Sequence, residues 1–262
     1  MKSHSRKIMA AALCVAALLA LAALASAEIA QKGTLRVSFN GQIAPVKLPR
    51  SEQAPVSVQM GGKIKTTDKS TPPRLERILL SINAHGVIQT KGLALCSLGK
   101  LNSVSAATAK KVCGEALIGH GNVTSRVSLP GQGAFASNGS LLAFNGKVNG
   151  RPAVLAQIES GPPLPLTYVI VFEVKKTKGT FGTELIGTLP PIASEYGYIS
   201  AFNLSLGRSY AFHGEKLSYA SASCPAPKGF PGASFPFAKA SYEFAGGETL
   251  SSTLVRQCKV KN

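Results

Sequence analysis

Apolar and polar residues alternate with a period of two along most of this chain, and Gly, Pro and Asn-Gly interrupt the alternation at short intervals. That pattern constrains the fold more than any other feature. It describes half-buried strands joined by tight turns and leaves room for one helix. Residues 74–83 place Ile78, Leu80 and Ile82 on one face. Residues 180–189 turn Phe181, Thr183, Leu185 and Leu189 inward, with Glu184 and Thr188 away. In residues 200–206, Phe202, Leu204 and Leu206 alternate with Asn203 and Ser205. Residues 167–174 are apolar on both faces apart from Glu173, which predicts a central strand between two packed sheets.

The turns name the hairpins. Asn149-Gly150 separates two alternating runs and suits the positive φ at both central positions of a type I′ turn. His213-Gly214 and Gly246-Gly247 divide further pairs. The helix is expected at residues 106–113, with Ser105 as N-cap, Lys110 and Lys111 facing the negative end of the dipole, and Gly114 as the C′ stop. The expected fold is therefore all-β: an antiparallel two-sheet β-sandwich with one short helix and two disulfides.

At the N-terminus, Lys2, Arg6 and Lys7 precede an apolar run over residues 8–25, and Ala25-Ser26-Ala27 stands before Glu28. A basic region, an apolar region and small residues before a cut describe a secretory signal peptide. The alternative is a retained membrane anchor, since the run approaches the length of a bilayer span. Cys14 lies inside the apolar run and reads as part of the leader. The organisation expected is a signal peptide over residues 1–27, an N-terminal strand or arm over 28–55, and one β-sandwich domain over 56–262. The location expected is extracellular or in the cell wall.

Four cysteines follow the leader: Cys96, Cys113, Cys224 and Cys258. An even number in an exported chain reads as two disulfides, for which three connectivities exist. The sequential one is favoured, because Cys96 and Cys113 flank the short helical insert and Cys224 and Cys258 lie at the ends of the Gly246-Gly247 hairpin. Zinc would need tight pairs such as C-x-x-C, which are missing.

Without the three basic residues of the leader, 26 Lys and Arg face 12 Asp and Glu, a formal +14. Such an excess favours anionic cell-wall polymers or polysaccharide. The lysines and arginines are scattered, so no basic run marks a nucleic-acid stripe. Membrane contact is expected only if the leader is retained.

Catalytic patterns are sparse. Asp68 is the only aspartate, so a Ser-His-Asp triad has one place to draw its carboxylate from, and Asp68 reads as a turn residue. G-x-S-x-G, the P-loop and dinucleotide fingerprints are missing. His85 and His213 each precede glycine and read as turn residues tolerant of unusual backbone angles. His120, in Gly119-His120-Gly121, is the one histidine singled out as a candidate functional residue. No spacing pairs two glutamates as glycoside hydrolysis requires. Tryptophan is missing, which leaves Tyr196, Tyr198, Tyr210 and Tyr219 as possible stacking groups for sugars. Asn122-Val123-Thr124, Asn138-Gly139-Ser140 and Asn203-Leu204-Ser205 match the N-glycosylation pattern, but the leader has bacterial character and the matches count as coincidence. No catalytic residue, metal or cofactor is assigned.

Gly179-Thr180-Phe181-Gly182-Thr183, Leu189-Pro190-Pro191, the strand from Gly197-Tyr198 to Leu206-Gly207-Arg208, Ser218-Tyr219, Cys224-Pro225-Ala226-Pro227 and Gly229-Phe230-Pro231-Gly232-Ala233 form a signature. Together with Lys65-Thr66-Thr67-Asp68, Pro72-Pro73 and Leu142-Ala143-Phe144-Asn145-Gly146, it resembles a group of uncharacterised exported proteins of soil actinobacteria. The resemblance implies compartment and fold, not an activity. The reading is a secreted or envelope-associated basic β-sandwich that binds anionic envelope polymers or serves structurally. An extracellular hydrolase whose Glu and His residues converge only in the folded chain is the alternative.

Overall fold

Asn149 and Gly150 take φ values of 50° and 76°, the left-handed pair that a type I′ turn demands, and Val148 pairs directly with Arg151 across it. His213 and Gly214 do the same at 50° and 82°, closing Phe212 on Glu215. The computed structural model describes residues 27–192 and 196–261. In chain order the strands are β1 (Glu28–Lys32), β2 (Leu35–Ala44), β3 (Lys47–Leu48), β4 (Ala54–Pro55), β5 (Ser57–Thr66), β6 (Leu75–Asn83) and β7 (Gly86–Ile88). After the helical insert come β8 (Leu117–Val127), β9 (Phe135–Val148), β10 (Arg151–Ser160), β11 (Leu166–Lys176), β12 (Phe181–Thr188) and β13 (Gly197–Leu206). The last are β14 (Ser209–Phe212), β15 (Glu215–Ser218), β16 (Ala220–Ala222), β17 (Gly232–Phe244) and β18 (Thr249–Val260).

Thirteen of these form one sheet in the order β1, β2, β5, β13, β8, β9, β10, β11, β12, β6, β17, β18, β3. All neighbours are antiparallel except β3 beside β18. The sandwich expectation needs correcting here, because the strands do not part into two facing sheets. They stay in one continuous sheet that curls as a half-barrel. Side chains link the early strands to β18 and the turn before it: Arg256 Nε donates to the Gly41 carbonyl at 2.6 Å, and Lys32 pairs with Glu248 at 3.6 Å. Bulges supply the bend, with register shifts at Ile199/Ala201, Leu117/Gly119 and Pro236/Ala238. Glycine lets strands approach at the corners: a Cβ on Gly121 would stand 2.0 Å from the Asn203 carbonyl oxygen. Alternation cannot distinguish these architectures, because a barrel lumen and a sandwich core both bury one face of each strand.

The lumen holds the largest apolar cluster, drawn from β2, β8, β9, β10, β11, β13, β17 and β18 and including Val37, Phe39, Val123, Ile158, Tyr242 and Phe244. A second cluster at one end surrounds Leu48, Tyr219, Phe235 and the Cys224–Cys258 disulfide. A third lies outside the sheet. There a single turn, α1 (Leu98–Leu101), and the helix α2 (Ala106–Cys113) cover Leu142, Phe144 and Leu155 of β9 and β10, with Val169 and Val171 of β11 against them. This explains the two apolar faces of β11. One faces the lumen and the other a helical cover, where a second sheet was expected.

The Ser105 hydroxyl accepts from Thr108 N at 3.2 Å, so the N-cap is as expected. The helix stops at Gly114 as expected, although not in the left-handed conformation common at that position. Gly114 keeps φ −55° and ψ −35° and passes the chain into a 3-10 turn, Gly114–Ala116. Cys96–Cys113 and Cys224–Cys258 are both bonded, the sequential pairing. The first ties α2 to the sheet, since Cys96 N donates to the Asn145 carbonyl of β9 at 2.9 Å. Residues 28–55 contribute β1 to β3 to the main sheet, while β4 joins β16 and β7 in a small separate one. The leader expectation concerns residues outside the described ones. Among the described residues no helix is long and apolar enough to cross a membrane.

Candidate functional site

Side chains that point out of a strand two residues apart share a face, so N-x-S and N-x-T place two polar groups on the same side. Register stacks three such pairs beside one another. Asn40 of β2 pairs with Gly61 of β5, Gly61 with Asn203 of β13, Asn203 with Asn122 of β8, and Asn122 with Ser140 of β9. A second row runs Gln42, Gln59, Ser205, His120, and a third runs Ser38, Lys63, Ala201, Thr124, Asn138. Five strands at about 4.8 Å spacing make this polar face about 19 Å across.

The face is held in place by its own hydrogen bonds. Gln42 Nε2 donates to Gln59 Oε1 at 2.6 Å, Asn122 N to Asn203 Oδ1 at 3.2 Å, and Thr124 Oγ1 to Asn138 Oδ1 at 2.9 Å. Asn138 and Asn203 thus engage their side-chain oxygens within the face and keep their amide N–H donors for an outside acceptor. Gly61 brings no side chain to the first row, which leaves a furrow between Asn40 and Asn203. Three shallow depressions of about 530, 390 and 490 Å³ meet at Asn122. The face ends at β10, where Glu159 Oε2 accepts from Ala106 N at 2.7 Å and so caps α2.

His120, singled out in the sequence, is exposed within the second row, between Ser205 and the covered Leu142. The other two histidines lie elsewhere. His213 has the unusual backbone expected of it and packs edge-on against Phe212 at 4.0 Å. His85 sits in a turn with an ordinary φ, against expectation, because its N–H donates to Asn83 Oδ1 at 2.9 Å and that bond closes the turn. Its Nδ1 lies 3.0 Å from Ser223 Oγ. Sequence reasoning did not bring that Ser-His contact together. Ser223 is only 2% exposed, and a nucleophile needs access that this burial denies.

The tyrosines do not assemble a stacking platform. Tyr219 is buried, Tyr210 donates its hydroxyl to the Lys91 carbonyl at 2.9 Å, and Tyr198 sits beside Arg126 at the margin of the polar face. Most glutamates engage in surface ion pairs: Glu28, Glu76, Glu115, Glu173, Glu243 and Glu248 each meet an arginine or lysine within 4 Å. Asp68 closes its own turn through Ser70, and those hydrogen bonds hold its carboxyl below the usual range. Among the described residues no three His, Cys, Asp or Glu side chains are grouped to hold a metal ion.

The polar face is the feature that sequence reasoning missed, although its signal was visible. The three glycosylation-like tripeptides at Asn122, Asn138 and Asn203 all lie on it, and their spacing is that of same-face residues on a strand. Compared with known proteins, the chain matches no family model, no curated sequence and no solved structure.

Proposed function

We propose that this chain is an exported, non-catalytic binding module of the cell envelope that holds a hydroxyl-rich, anionic polysaccharide along the polar face of β2, β5, β13, β8 and β9. The observation that carries it is the row Asn40, Asn203, Asn122, Ser140, aligned strand by strand on an otherwise open surface. Amides and hydroxyls donate and accept together, which matches sugar hydroxyls, and the row form suits an extended chain better than a small molecule. The formal +14 of the chain after residue 27 steers an anionic polymer toward the surface. Two disulfides fit an oxidising compartment outside the cytoplasm, and the leader-like residues 1–27 supply the route. The resemblance to exported proteins of soil actinobacteria implies the same address.

The test is retention in native gels cast with isolated wall polysaccharide. The wild type should be retarded, and Asn122→Ala with Asn203→Ala should weaken retention about ten-fold, as loss of two hydrogen-bonding groups implies. Its Tm should stay within a few degrees. Raising salt should weaken retention of both proteins by the same factor, because the substituted groups are neutral. Retention unaffected by the double substitution, or no retention at low salt by any anionic wall polymer, overturns the reading.

A further inference from the structure

Inside the sheet the core is incompletely filled. A chamber of about 110 Å³ lies among Val37, Ile78, Ala156, Phe172, Phe202 and Ala240, and a second of about 80 Å³ lies beyond it. Phe39, Met60 and Leu80 line both, so flexible or rotatable side chains form the partition. Several inward-facing residues, among them Ile78, Leu80, Phe202 and Leu204, remain only half-buried because they border this empty volume. The larger chamber approaches the roughly 150 Å³ of an engineered apolar cavity that accepts benzene, and apolar cavities of this kind stay dry.

The wall beside that chamber is split. The β5–β13 ladder stops at Lys63–Ala201. Beyond that pair, Ile64 to Thr66 are held by β2 and Gly197 to Ile199 by β8, while Ser200 falls in the register shift. Lys63, Ile64, Ile199, Ser200 and Ala201 all border the chamber, so the end of the ladder lies directly against it. Next along the outer surface Arg36 and Lys65 are directly paired across strands, and Lys63 lies two residues from Lys65. Like charges placed opposite one another repel, and none of the three has a carboxylate partner among the described residues. An anion at that point would relieve the repulsion.

An apolar chamber beside the end of a strand ladder, with Lys63 on its border and Lys65 and Arg36 next along the outer surface, has the chemistry of one ligand class. We propose that the lumen binds a single-chain anionic amphiphile, an alkyl carboxylate, with its tail in the chamber and its head on Lys63, Lys65 and Arg36. The tail chamber is separate from the amide rows, whose residues face away from the lumen, whereas Lys63 belongs to the third row and borders both.

Sodium octanoate and 1-octanol distinguish head from tail. Octanoate should raise Tm with the logarithm of its concentration above Kd, shifting the folding equilibrium about 100-fold at a hundred times its Kd. Octanol should bind about ten-fold more weakly. Lys63→Gln with Lys65→Gln should bring octanoate down to the octanol level without changing octanol. Ala156→Leu, which fills the chamber, should abolish both responses while leaving retention on wall polysaccharide intact. Ala240→Leu serves if that variant fails to fold, and xenon NMR on the wild type should show a bound signal that octanoate displaces. No stabilisation by octanoate, equal affinity for octanoate and octanol, or octanoate binding undiminished in the filled variant would each refute the proposal.

Discussion

Removing the Cys96–Cys113 disulfide tests how the outer helical layer is held. The two cysteines are 17 residues apart, and closing a loop of that length removes about 3.1 kcal/mol of unfolded-state entropy at 25 °C in the chain-entropy model. Helix α2 has eight residues, too few to be stable alone, so its position depends on what it touches. Those contacts survive reduction: Ala109 and Leu101 are fully buried against Phe144 and Leu155, Ala106 N is held by Glu159, and Gln157 Nε2 donates to the Val104 carbonyl at 2.7 Å. Cys96→Ala with Cys113→Ala should therefore lower the unfolding free energy by about 3 kcal/mol without releasing the insert. Urea denaturation should show one transition with a lower midpoint and a slope no smaller than that of the wild type, because freeing the loop exposes more surface in the unfolded chain. A loss under about 1 kcal/mol would mean that the loop is already constrained in the unfolded chain. An early step with a smaller main slope would mean that the insert detaches first. Either result defeats the reasoning.

Burial pushes the Tyr168 phenol from 10.0 up to about 12, and it raises Tyr219 and Tyr242 as well. A raised folded-state value stabilises fully below the unfolded pKa and is lost as pH climbs through the folded one. Stability should therefore fall between pH 10 and about 12, and phenolate absorbance should rise cooperatively with unfolding. Smooth titration of all six tyrosines near their ordinary value in an intact fold would contradict the burial. Gly121→Ala should cost more than about 2 kcal/mol, because the new methyl would fall 2.0 Å from the Asn203 carbonyl and force β8 from β13. Thermal unfolding decides this, and a Tm within a degree or two of wild type would show that the strands yield without cost.

The parts of this molecule legible in its sequence are those set within a few residues. Asn149-Gly150 fixes its own turn, Ser105 caps its own helix, and a hairpin brings Cys258 back toward Cys224. Closure of the sheet depends instead on neighbours far apart in the chain, such as Asn203 beside Asn122 across 81 residues, and periodicity carries no information about partners. The same limit hid the polar face. Each N-x-S/T tripeptide states that two polar groups share one side of a strand, and that statement is equally true of an isolated surface strand. Only when β13 lies between β5 and β8 do three separate tripeptides become one surface. The cationic border of the chamber has the same origin, since Lys63 and Lys65 read as ordinary exposed lysines until β13 leaves β5 at Ala201. What the sequence encodes locally is which face of each strand is polar; adjacency makes that face a site.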